Sequence, residues 1–132
     1  MRSRNAGFTL VEMMVTAVVL FLLGAIAIPM YADYIDNGRR QAVVGVVDGY
    51  KLFASNYRVE NNTYVTGSYD PHGANTLEAT TGYRKDGSEG EVSFTVDVGS
   101  CGDIINCYAV TATDGHVTGT WDSATDKWTW TD

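Results

Sequence analysis

The sequence predicts an α+β fold, a long amino-terminal helix packed against a four-stranded antiparallel sheet. Three observations carry that expectation: an uncharged apolar run over residues 13–32, an amphipathic repeat that follows it, and a carboxy-terminal part in which apolar and polar residues alternate. The chain has 132 residues and a formal charge of -7, from 9 Lys+Arg against 16 Asp+Glu, which fits one small domain. Phosphate contacts need clustered cations, so the acidic balance argues against a general nucleic-acid-binding role. Residues 8–35 hold 22 apolar side chains, which leaves the remainder a thin core that a covalent staple or neighbouring subunits would support.

The first element is the apolar run, MMVTAVVLFLLGAIAIPMYA, 20 residues without a charged side chain. At about 1.5 Å per residue, such a helix matches the roughly 30 Å hydrocarbon core of a bilayer. Gly24-Ala25-Ile26-Ala27 offers a small-residue cleavage site of the secretory kind, yet the run continues past it through Ile28 to Tyr31. The preceding residues 1–7, MRSRNAG, are polar, and Arg2 and Arg4 favour a cytoplasmic amino terminus. Glu12 is the residue a plain membrane span does not explain. An ionised carboxylate in an apolar segment costs a few kcal/mol, so it implies a shallow, snorkelling position or a partner. A cut after Gly7 would place a new ammonium group on Phe8, four residues before Glu12 and at the positive end of the helix dipole.

Gly7-Phe8-Thr9-Leu10-Val11-Glu12, between a short basic leader and an apolar helix, resembles the processing signature of type IV prepilins and their type II secretion relatives. The likeness continues through Ile28-Pro29-Met30-Tyr31-Ala32-Asp33-Tyr34 and Gly38-Arg39-Arg40, and covers residues 1–64. It is closest in look to minor pilins of the pilus. The resemblance implies the type IV pilin fold, with a leader at 1–7, a membrane and filament-core helix at 8–32, an amphipathic helix at 33–60, a loop at 61–90 and the sheet of a globular head at 91–132. It further implies cleavage after Gly7 and N-methylation of Phe8 by a membrane prepilin peptidase. Glu12 would then guide assembly by pairing with the amine of a neighbouring subunit. The implied partners are other pilin subunits, that peptidase and the inner-membrane assembly machinery. The implied localisation is the bacterial inner membrane and then the extracellular pilus, used for adhesion, twitching motility or DNA uptake.

Pro29 lacks an amide donor and clashes with the preceding turn, so a kink is expected there, with Gly24 adding backbone freedom. Farther on, Ile35, Ala42, Val46, Tyr50, Phe53 and Tyr57 mark one helical face. Asp36, Arg40, Gln41, Asp48, Lys51 and Arg58 mark the other. Asn61-Asn62 offers a stop. Residues 61–90 keep no apolar period and read as a long loop, the preferred place for a subunit contact or binding surface.

The sheet follows. Val92, Phe94, Val96 and Val98 alternate with polar residues, as do Tyr108, Val110 and Ala112. Asp114-Gly115 signals a hairpin, residues 117–121 a third strand, 122–126 a turn and 127–131 a fourth strand. Trp121, Trp128 and Trp130 suit either ligand stacking or, the favoured reading, sheet core over the helix. In an exported chain, Cys101 and Cys107 favour one disulfide over a metal or redox pair. In familiar major pilins the disulfide closes a carboxy-terminal loop, and here 25 residues follow Cys107, which favours a minor or atypical pilin.

His72 and His116 read as surface residues; no metal site, cofactor, catalytic constellation or enzymatic activity is expected. The leading reading is a structural subunit of a type IV pilus. The alternatives are a pseudopilin of type II secretion and a pilus-associated module that binds DNA or a surface, with DNA the disfavoured partner. Loss of the leader removes Arg2 and Arg4 and takes the charge from -7 to -9.

Overall fold

The computed structural model describes residues 7–73, 75–84 and 91–131. Helix α1 (Leu10–Asn61) leads to strand β1 (Gly67–Tyr69), a short helix α2 (Thr76–Thr81), and strands β2 (Ser93–Val98), β3 (Tyr108–Thr113), β4 (Thr118–Asp122) and β5 (Lys127–Thr131). The chain divides into two units, Met1–Ile35 and Asp36–Asp132, and α1 contributes to both.

In the first unit, α1 runs without interruption through Gly24 and Pro29. Its most apolar window has a mean hydropathy of 2.5, and none of it is buried within the chain.

The second unit is a helix on a sheet. The sheet is a meander, β1-β2-β3-β4-β5, antiparallel throughout, with five strands where four were expected. The extra strand, β1, lies in the expected loop. Three residues are too few to display alternation, and Gly67-Ser68-Tyr69 supplies one buried side chain, Tyr69, opposite Phe94. The same stretch hides α2, whose single buried residue, Leu77, sits over Gly67: a Cβ there would fall 2.8 Å from Leu77 Cδ2. Thr76 Oγ1 accepts the Ser68 N–H at 2.8 Å and so joins the two pieces.

The buried face of α1 is Val43, Val46, Val47, Tyr50 and Ala54, with Phe53 partly buried. It meets Phe94, Val96, Tyr108, Val110, Ala112 and Trp121 in one core. Ala42, expected on this face, is exposed, and Val43 takes its place. Arg40 and Lys51, expected on the opposite face, border the core instead: the Arg40 guanidinium lies 5.3 Å from the Trp130 ring centre and Lys51 Nζ 3.8 Å from that of Trp121. Long cationic side chains bury their stems and present their charge to an aromatic face, which binary patterning does not capture. Trp128 and Trp130 stack at 5.0 Å and pack against the core, as the sheet-core reading anticipates. Gly119 permits this, because a Cβ there would come within 2.6 Å of Trp130. Val98, expected inward, is exposed at the end of β2. Asn62 closes α1 in the left-handed region, φ 58°, its N–H bonding to the Arg58 carbonyl at 2.8 Å.

Asp122 ties two connections together. Its carboxylate accepts N–H bonds from Ser100 at 2.6 Å and Ala124 at 2.8 Å. Desolvation pushes this carboxyl up, but the donors from Ser100, Ala124 and Thr125 outweigh it and hold it below its ordinary 3.8. A depressed native value stabilises the fold above pH 3.8 and loses that contribution as pH falls through the native value. Asp122→Asn is therefore expected to flatten the fall in stability on acidification. Denaturation midpoints at about pH 6 and about pH 3 check this, and an unchanged difference between them would refute it.

Candidate functional site

The amino-terminal end of α1 gathers three of the residues singled out from the sequence. Gly7 and Phe8 precede the helix, and both are exposed. Thr9 is the N-cap. Its Oγ1 accepts the Glu12 N–H at 3.2 Å, while Glu12 Oε2 accepts the Thr9 N–H at 3.1 Å and the Thr9 hydroxyl at 3.0 Å. This is a capping box, in which a Thr and a Glu three residues on satisfy each other's free backbone donors. The Thr16 hydroxyl adds a bond of 2.7 Å to the Glu12 carbonyl. The reading of Glu12 as a lone carboxylate in an apolar run therefore missed Thr9, although Thr-x-x-Glu was the signal for it.

The box orients the Glu12 carboxylate toward the start of its own helix, one residue after Phe8. The hydrocarbon core of a bilayer holds no water to satisfy free backbone donors, so a cap made within the chain counts for more there than in solution. Beyond Glu12 the helix presents apolar side chains all round, among them Leu20, Phe21 and Ile26, each more than half exposed. A core helix of a soluble protein would be covered by its own chain, and this segment is not.

Residues 2–28 match the family model described as the prokaryotic N-terminal methylation motif. The amino-terminal segment carries that motif. Among curated proteins the chain is similar to the type IV major fimbrial protein FimA of Dichelobacter nodosus, 40% identical over 52 residues, or 39% of this chain and 32% of the relative. A fimbrial protein of the same organism, and FimA of its strain VCS1703A, match at the same identity over the same length. The chain thus spans about a third of the length of the relatives it matches.

The remaining singled-out residues lie elsewhere. Gly24 and Pro29 fall within α1, which stays helical through both. Cys101 and Cys107 form a disulfide in the connection between β2 and β3. Cys107 Sγ also accepts the Cys101 N–H at 3.2 Å, and a Cβ on Gly99 would crowd that sulfur at 2.7 Å. Closing so short a loop contributes about 2 kcal/mol in the chain-entropy description. Arg39 pairs with Asp36 at 3.8 Å and Arg40 with Trp130, so the Arg39-Arg40 dipeptide is engaged within the chain. His72 and His116 are exposed. Arg2 and Arg4 lie outside the described residues.

Proposed function

We propose that this chain is a structural subunit of a type IV pilus. It enters the inner membrane as a prepilin, is cut after Gly7 and methylated on the Phe8 amine, and then joins a helical filament. The observation that supports this most directly is the coincidence, at one helix start, of the methylation motif, the Glu12 cap and an apolar surface its own chain leaves uncovered. Uncovered apolar helix surface is stable only against lipid or against other helices. The subunit meets lipid before assembly and neighbouring subunits after it. The FimA relatives are named as major fimbrial proteins, which agrees with this reading. A kink at Gly24 and Pro29 belongs to the same proposal, as the adjustment that lets subunits pack in a filament.

The test is the mass of the amino-terminal peptide from cells that hold the prepilin peptidase. The expected peptide begins at N-methylated Phe8, and Gly7→Ile leaves the leader attached. A mature amino terminus after Ala27, as a secretory peptidase would leave it, overturns the reading, because it discards Glu12 and most of the apolar helix.

A further inference from the structure

Two tyrosines stand apart from the others. Tyr50, Tyr64, Tyr69, Tyr83 and Tyr108 share ring contacts in the second unit, and Tyr57 is half-buried there. Tyr31 and Tyr34, in the first unit, are 67% and 77% exposed. Among the described residues neither ring packs on another and neither hydroxyl is hydrogen-bonded. The pair is spaced three residues apart on α1 and so lies on one side of the helix. It closes the apolar run: residues 13–30 hold no tyrosine or tryptophan, and Asp33 falls between the two.

At about 1.5 Å per residue, Tyr31 stands about 28 Å along the helix from Glu12, and Tyr34 about 33 Å. The hydrocarbon core of a bilayer is about 30 Å thick. With Glu12 at the near boundary, the two rings straddle the far one. Glu12 belongs at that near boundary for its own reason, because an exposed carboxylate is costly at any greater depth. Leucine or phenylalanine would serve at 31 and 34 in a helix wholly immersed in lipid. A phenol instead has an apolar body and a polar tip, and rests where hydrocarbon gives way to headgroups.

We propose that Tyr31 and Tyr34 dock in the phospholipid headgroup layer at the far face of the membrane and, with Glu12 at the near face, set the depth of α1. The inference rests on the membrane-inserted stage of the proposed function. The partner is the lipid interface, whose ester carbonyls and phosphate oxygens accept from the two phenols while the rings lie against the first methylenes. An apolar helix alone tilts or slides in a bilayer at small cost, and interfacial tyrosines are what fix it. A fixed depth has a consequence at the other end. The Gly7–Phe8 bond precedes Glu12 in the chain, so it is held outside the hydrocarbon, where a peptidase with water at hand can cut it. Tyr31 and Tyr34 are therefore positioning residues for processing.

The full-length chain with Leu22→Cys, carrying a nitroxide and reconstituted into vesicles of phosphatidylethanolamine and phosphatidylglycerol, tests this. The two native cysteines are joined to each other, so the label has one target. Leu22 lies about 15 Å from Glu12, half the hydrocarbon thickness. Relaxation of the nitroxide by oxygen against a water-soluble nickel chelate gives its distance from the bilayer midplane, whichever way the chain has inserted. The expected distance is within one helical turn, about 5 Å, and Tyr31→Leu with Tyr34→Leu is expected to shift it by at least about 3 Å. Phe21→Leu, which removes an exposed aromatic ring inside the run, leaves the depth unchanged. A parent label farther from the midplane, or a smaller shift in the double variant, overturns the proposal; the second result assigns the tyrosines to contacts between subunits. Either leaves the pilus reading standing. A label fully open to the nickel chelate means that α1 never enters the bilayer, and overturns both.

Discussion

Truncating Tyr50 to alanine is expected to destabilise the second unit by about 3–5 kcal/mol, the range for deleting a large buried aromatic. Tyr50 is fully buried on α1, and its ring stands 5.6 Å from that of Tyr83, 5.2 Å from Phe94 and 6.2 Å from Tyr108. It therefore joins the helix to β2, β3 and the segment after α2 through one side chain. The hydroxyl behaves differently from the ring. It is buried without a hydrogen-bond partner, and burial pushes the phenol well above its ordinary pKa. An orphaned buried hydroxyl costs on the order of 1–3 kcal/mol, so Tyr50→Phe is expected to leave stability unchanged or raise it by about 1 kcal/mol. Denaturant titration of the full-length chain in detergent, followed by tyrosine and tryptophan fluorescence, measures both. A Phe variant as destabilised as the Ala variant would place the energy in the hydroxyl and refute the packing account.

The parts of this fold legible in the sequence are those written as a period or as local chemistry. The uncharged run, the alternation of Val92, Phe94 and Val96, the Asp114-Gly115 turn and the strand over Lys127–Thr131 all appear where expected. β1 and α2 were not legible, because each buries a single residue, Tyr69 or Leu77, and one residue defines no period. Arg40 and Lys51 were misplaced for a different reason: patterning assigns a whole side chain to one face, whereas these bury a stem and aim a charge at Trp130 and Trp121. At the amino terminus, the sequence singled out Gly7, Phe8 and Glu12, and geometry added Thr9 as the partner of Glu12. On the outward face of the sheet, register aligns the Ser/Thr-x-Thr pairs at 93–95, 111–113, 118–120 and 129–131 beside a row of Asp97, Ala109, Asp122 and Lys127, an arrangement no single strand displays.

Glu12 caps its own helix, and in the proposed function it also supplies charge for assembly; three substitutions distinguish the two roles. Glu12→Ala removes both and is expected to lower the chain's content in sheared filaments at least tenfold, with the membrane pool preserved. Glu12→Gln keeps the cap, since glutamine serves equally at the third position of a capping box, but deletes the charge. Thr9→Val does the reverse: it removes the hydroxyl that links cap to carboxylate, at about 1 kcal/mol, and keeps the charge. A carboxylate at the edge of hydrocarbon costs a few kcal/mol. The two Thr9 donors offset part of that, and in the proposed filament a cationic amine from another subunit offsets the rest. Glu12→Gln is therefore expected to fail in filaments as Glu12→Ala does, and Thr9→Val to assemble nearly normally. Immunoblots of sheared and membrane fractions give the ratio directly. Normal assembly of Glu12→Gln would reduce Glu12 to a cap and remove charge pairing from the mechanism, whereas failure of Thr9→Val alone would make the ordered helix start the requirement for assembly.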